Sequence, residues 1–95
     1  MPKPQKNSGW TVEITDVALK ALKKLGATER DRIYKFIRTR LEGIADPHSL
    51  GEALHGDKSG LRRYRVGDYR LICTLEDARL IVLVLNIGHR REVYR

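Results

Sequence analysis

The stretch Leu61-Arg-Arg-Tyr-Arg-Val66, Gly67-Asp68, Tyr69-Arg-Leu-Ile-Cys-Thr74 constrains the fold more than any other part of the chain. Two runs rich in β-formers are separated by two residues, one of them a glycine that can take a positive φ, which is the pattern of a tight β-hairpin. A two-residue turn fixes the register. Val66 then faces Tyr69, Arg65 faces Arg70, Tyr64 faces Leu71 and Arg63 faces Ile72. Side chains alternate, so Tyr64, Val66, Tyr69 and Leu71 form a core face, whereas Arg63, Arg65 and Arg70 gather on the open one. Arg62 falls on the core side, and its stem is expected to pack at the sheet margin with the head in water.

Like charges directly across a ladder cost up to about 1 kcal/mol relative to a neutral pair, so Arg65 against Arg70 is a poor choice for stability alone. From the hairpin alone two readings are open: a bound phosphate neutralises the cluster, or the three guanidiniums extend separately into water.

The other elements follow from periodicity. Trp10-Thr-Val-Glu-Ile14 alternates with period two and reads as a half-buried strand with Trp10, Val12 and Ile14 inward. Asp16 is a candidate cap for a short helix that turns Ala18, Leu22 and Leu25 to the core, and Gly26 is expected to stop it in a left-handed conformation. Thr28-Glu-Arg-Asp31 has capping-box spacing ahead of Ile33, Phe36, Ile37, Leu41 and Ile44, which recur at helical intervals. This second helix presents Arg30, Arg38 and Arg40 outward, ordinarily a solvated basic face, and is expected to end at Asp46-Pro47-His48. Residues 49–60 read as a loop with one helical turn at most, and Leu80 to Ile87 as a buried central strand. The order gives an α+β domain with two N-terminal helices packed on one face of a small, mainly antiparallel four-stranded sheet.

With 95 residues the chain has room for one core, so we assign residues 1–9 to a flexible N-terminal tail and residues 10–95 to a single domain. Nineteen Lys and Arg against twelve Asp and Glu leave a formal charge of +7, which favours a polyanionic partner. Cys73 is the sole cysteine and sits in an apolar run, so it reads as a buried inert thiol in a reducing, cytoplasmic setting. The N-terminal segment lacks the apolar stretch of a signal peptide, and Leu80 to Leu85 is too short to span a bilayer, so no membrane partner is expected.

The second chemical constellation is Gly88-His89-Arg90-Arg91-Glu92-Val93-Tyr94-Arg95, a dense group of cations ending in an aromatic. Such a cluster is either a solvated terminus or part of a site that cleaves phosphodiesters. Guanidiniums neutralise the phosphorane, a titratable group moves the 2′-hydroxyl proton and a ring stacks on a base. Together with Leu61-Arg-Arg-Tyr-Arg-Val-Gly-Asp-Tyr-Arg70, this terminus resembles the RelE family within the RelE/ParE toxin superfamily. The similarity runs from the Val12 strand through the paired helices and Leu54-His-Gly56 to Tyr94.

The resemblance implies a type II toxin: a ribosome-dependent endoribonuclease that cuts messenger RNA in the decoding site with the 2′-hydroxyl as nucleophile, needs neither metal nor small-molecule cofactor, and is silenced by a RelB-like antitoxin. It places the family's site positions on Arg63, Arg65, Arg70, Arg90 and Tyr94; of these we assign catalytic roles to Arg65, Arg70, Arg90 and Tyr94, and take Arg63, with His89 and Arg91, as RNA contacts. The best-known relatives carry lysine where Arg63 and Arg65 stand. Arginine effectively never loses its proton, so Arg65 is a poor general base, and either Tyr94 or His89 takes the role or Arg65 acts by charge alone while water accepts the proton. The chain also ends at Arg95, without the additional C-terminal helix of some relatives. A ParE-like gyrase inhibitor without nuclease chemistry, or a small RNA-binding module, are the other functions compatible with the fold and charge.

Overall fold

Alternation at the start of the chain produces strand β1, Thr11–Ile14, which buries Val12 and Ile14 partly, next to a buried Trp10. The computed structural model describes residues 9–56 and 60–89. After β1 come helix α1, Asp16–Lys23, and helix α2, Ala27–Phe36, which runs on through one wider π turn at Ile37–Leu41. A 3-10 turn at Pro47–Ser49 leads to β2, Glu52–Ala53, then β3, Arg62–Val66, β4, Tyr69–Glu76, and β5, Ile81–His89.

Five strands form one mixed sheet in the order β1-β5-β4-β3-β2, with β1 parallel to β5 and the other pairs antiparallel. The expectation of four strands missed β2, because two residues are too few to show a period. Gly51 makes that strand possible: it has φ +75°, and a Cβ there would lie 2.5 Å from the Arg63 carbonyl oxygen and 2.6 Å from the Tyr64 ring. The hairpin register follows the residue pairs read from the turn, and Gly67 has φ +61°.

The helix boundaries differ from the sequence reading, each for a local reason. Thr15, rather than Asp16, caps α1: its Oγ1 accepts from the Ala18 amide at 3.2 Å and donates to the Leu85 carbonyl at 3.1 Å, tying the cap to β5. Gly26 is extended (φ −65°, ψ 162°) and serves as the first cap of α2, which leaves Thr28 inside the helix and removes the capping box. The long helix ends at Leu41, before Asp46-Pro47, because residues 43 and 44 exchange hydrogen bonds with Trp10, Gly43 N–H to Trp10 O at 2.7 Å and Trp10 N–H to Ile44 O at 3.0 Å. Leu80 stands in the turn before β5 with φ 56° and is exposed.

Both helices cover one sheet face, where Ala18, Leu22, Ile33, Ile37 and Leu41 meet Tyr64, Val66, Leu71, Cys73, Val82, Val84 and Ile87. Tyr64 is fully buried and donates its hydroxyl to the Pro47 carbonyl at 2.9 Å; burial, with the nearby Cys73, pushes its phenol up to about 12. Burial likewise pushes the Cys73 thiol up to about 12, as the inert reading requires. Strand β5 contains a bulge: Ile72 pairs with Asn86 and Cys73 with Val84, so Leu85 is the extra residue. Among the described residues no helix is long and apolar enough to cross a membrane.

Candidate functional site

The face opposite the helices carries the three arginines that the hairpin pattern collects. Arg63, Arg65 and Arg70 line one cavity of about 240 Å³, whose other walls are Gly51 and Glu52. Their environments are unequal. Arg65 is exposed at the rim. Arg63 is half-buried and forms an ion pair with Glu52, which the β2–β3 register sets directly opposite it. Arg70 is only 8% exposed, although the sequence reading had it standing open; its guanidinium folds back on the hairpin turn, with Nη1 donating to the carbonyls of Gly67 at 3.2 Å and Tyr69 at 3.1 Å.

Those contacts answer the question left by the like-charge pair. Arg65 does face Arg70, yet Arg70 rests on two turn carbonyls and Arg63 on a carboxylate, so part of the repulsion is offset within the protein. The three guanidiniums hang on one two-stranded ladder and form a cationic hollow that could receive an anion of phosphate size. Preorganised charge of that kind stabilises a phosphorane without reorganisation at the moment of reaction.

Glu52 was invisible to sequence reasoning. Its place comes from a two-residue strand in a stretch that reads as loop, and only the pairing with Arg63 reveals it. Arg62 also departs from expectation: its head binds protein carbonyls rather than water, with Nε donating to Leu50 O at 2.8 Å and Nη2 to the carbonyls of His48 and Gly51. It therefore clamps the 48–51 loop under β2.

His89 does not join the arginines. It lies opposite Tyr69 with the two rings edge to face, centroids 5.6 Å apart, and lines a different cavity of about 560 Å³ shared with Val17, Lys20 and Lys24 of α1. The bulge explains the separation. Strict alternation continued from Val82 and Val84 would set His89 on the arginine face, and the extra residue Leu85 turns Ile87 and His89 to the helix side. Arg90, Arg91 and Tyr94 lie outside the described residues, as does the N-terminal segment 1–8.

Comparison with known proteins places this geometry in a family. A family model for the ParE toxin of the type II toxin-antitoxin system parDE matches residues 12–94. The protein named toxin RelE of Mycobacterium tuberculosis is 32% identical over 86 residues, 90% of this chain and 87% of its own; toxin RelG of the same organism is 29% identical over 90% and 97%. Among solved structures, the toxin-antitoxin complex RelBE2 from M. tuberculosis contains a chain that superposes with TM-score 0.78 at 27% identity, covering 88% of this chain and 94% of that one. The isolated Escherichia coli RelE toxin superposes with TM-score 0.66 at 24% identity over 90% and 92%, a likeness of fold. Matched over nearly its whole described length by a toxin family model, and about a third identical to a named RelE toxin, the chain belongs to the RelE/ParE superfamily of toxins from type II toxin-antitoxin systems.

Proposed function

We propose that the chain is a ribosome-dependent endoribonuclease that cleaves messenger RNA in the ribosomal A site and so inhibits translation. The observation that carries this reading is the convergence of Arg63, Arg65 and Arg70 on one cavity of about 240 Å³ on the helix-free face of the sheet. In the proposed reaction the 2′-hydroxyl attacks the adjacent phosphorus, and the bond to the 5′-oxygen breaks. Arg65 and Arg70, joined by Arg90, neutralise the phosphorane; Arg65 contributes charge and no proton transfer, because a guanidinium does not deprotonate near neutral pH. Tyr94 is the proposed general base: as phenolate it takes the 2′-hydroxyl proton, and water supplies the proton to the departing 5′-oxygen. Arg63, His89 and Arg91 are the proposed RNA contacts. No metal ion or cofactor enters the scheme.

The working compartment in this reading is the cytoplasm, where ribosomes and message meet, and the inhibitor is a RelB-like antitoxin whose acidic, partly helical segment covers the basic surface. The solved M. tuberculosis relative is itself a toxin-antitoxin complex. A ParE-like inhibitor of DNA gyrase is the second reading, favoured by the family model that matches residues 12–94.

One pair of assays separates the two. Purified protein added to translating ribosomes, with message ends mapped by primer extension, gives new ends within codons if the nuclease reading holds, and supercoiling by gyrase proceeds normally. Intact message together with blocked supercoiling gives the gyrase reading instead.

A further inference from the structure

The arginine cavity does not end at Arg65. That exposed side chain also lines a second cleft, of about 350 Å³, between the hairpin and α2, whose other charged walls are Arg32, Lys35 and Arg40. Resting on the RNA reading above, we propose that this cleft is a backbone-binding track: single-stranded RNA leaving the cleavage cavity passes over Arg65 and lays successive phosphates along Arg32, Lys35 and Arg40.

Helix geometry supplies the stripe. Positions 32 and 35, 32 and 36, 36 and 39, and 36 and 40 are three or four residues apart, so they share one face of α2 and its π-turn extension. The Arg32 guanidinium reaches the hairpin turn, because a Cβ on Gly67 would lie 2.9 Å from its Nη1. Arg40 lies over the Phe36 ring, its guanidinium carbon 5.8 Å from the ring centroid, and both side chains line the cleft. The Thr39 hydroxyl is occupied by the Lys35 carbonyl at 2.7 Å, which leaves the cations as the polar chemistry of the cleft.

Two observations set this face apart from an ordinary solvated one. Arg32, Lys35, Arg40 and Arg65 are all exposed, and none forms an ion pair with a carboxylate among the described residues, whereas Arg63 and Arg79 each do. Arg32 and Lys35, three residues apart on one helix face, repel each other, and Arg40 and Arg65 add to the same cationic cleft, so an anion bound there would relieve the repulsion. The cleft's continuity with the cleavage cavity through Arg65 gives that anion a direction, toward an extended polyanion and away from a single phosphate or a compact ligand.

The test uses the full-length protein with Arg32→Gln, Lys35→Gln and Arg40→Gln combined, and two probes: a single-stranded RNA oligonucleotide blocked against cleavage by 2′-deoxy substitution, and empty ribosomes. Counterion release reports phosphate contacts. Removing three such contacts should make the slope of log affinity against log salt shallower by about 2 on single-stranded RNA. The cleavage rate at saturating programmed ribosomes stays at the parent value, because none of the three side chains touches the reacting phosphate. A shallower slope on the oligonucleotide supports the track; a change confined to empty ribosomes overturns it and assigns the face to ribosomal RNA. An unchanged slope on both probes also overturns it. If the triple variant fails to fold, Lys35→Glu at an exposed position gives the same readout singly. Failure of the nuclease reading shows separately, as a parent protein that leaves message uncut.

Discussion

Arg70→Ala removes the most enclosed cation of the site and should damage activity and stability in separable amounts. In the folded protein the guanidinium is 8% exposed and donates to the Gly67 and Tyr69 carbonyls. Hydrogen bonds from a charged group contribute about 1.5 to 3 kcal/mol each, but the freed turn carbonyls regain water and the clash with Arg65 disappears, so the net loss of stability should be about 1 to 3 kcal/mol. For a domain of this size that is a fall in Tm of about 5 to 15 °C. Loss of one preorganised contact to the phosphorane costs about 3 kcal/mol more in the barrier, a hundredfold or greater drop in rate. Arg70→Lys keeps the charge without the forked donor and should fall between. Single-turnover cleavage on programmed ribosomes, at a temperature where the variants are folded by circular dichroism, reads the chemical term alone. Parent-like cleavage by folded Arg70→Ala refutes the catalytic assignment, and an unchanged Tm refutes its role in holding the turn.

Three further outcomes are expected. Tyr94→Phe should slow single-turnover cleavage by about ten- to a thousandfold, with His89→Ala the milder change because His89 lines the cavity beside α1; full rate in Tyr94→Phe would reduce Tyr94 to a stacking ring. Gly51→Ala should lower Tm by more than 5 °C, roughly 1 kcal/mol or more, since its Cβ meets the Arg63 carbonyl and the Tyr64 ring at a φ of +75°; an unshifted melt would show that β2 is dispensable. Stability should be lost at alkaline pH: Cys73 and Tyr64 are raised from 9.0 and 10.0 to about 12 each, so their contribution is complete below pH 9 and declines as pH climbs toward 12. Melts from neutral to strongly alkaline pH check this, and a flat Tm above pH 10 contradicts it.

The hairpin was readable in the sequence because a two-residue turn leaves the pairing no freedom, and the arginine face followed from it. The core of the long helix was equally plain, since Ile33, Ile37 and Leu41 are spaced for one face whether or not the helix widens in a π turn. What stayed hidden depends on contacts between distant segments. Gly26 and Thr15 carry the caps because β5 and the paired helices position them, and propensity alone favours Asp16 and Thr28. Glu52 enters the site through a pairing two residues long. The side taken by His89 turns on one bulge at Leu85, which no local pattern in an apolar run announces. The burial of Arg70 reflects its own side chain folding onto the turn, a choice that strand alternation leaves open.

The central claim is that the arginine cavity cuts message while the ribosome displays it, and the chemistry of the cut ends tests this most directly. Parent protein mixed with programmed ribosomes for a single turnover should yield an upstream fragment ending in a 2′,3′-cyclic phosphate and a downstream fragment with a free 5′-hydroxyl, with far slower cutting of the same message without ribosomes. Uncut message on programmed ribosomes, or fragments bearing a 5′-phosphate, would contradict it.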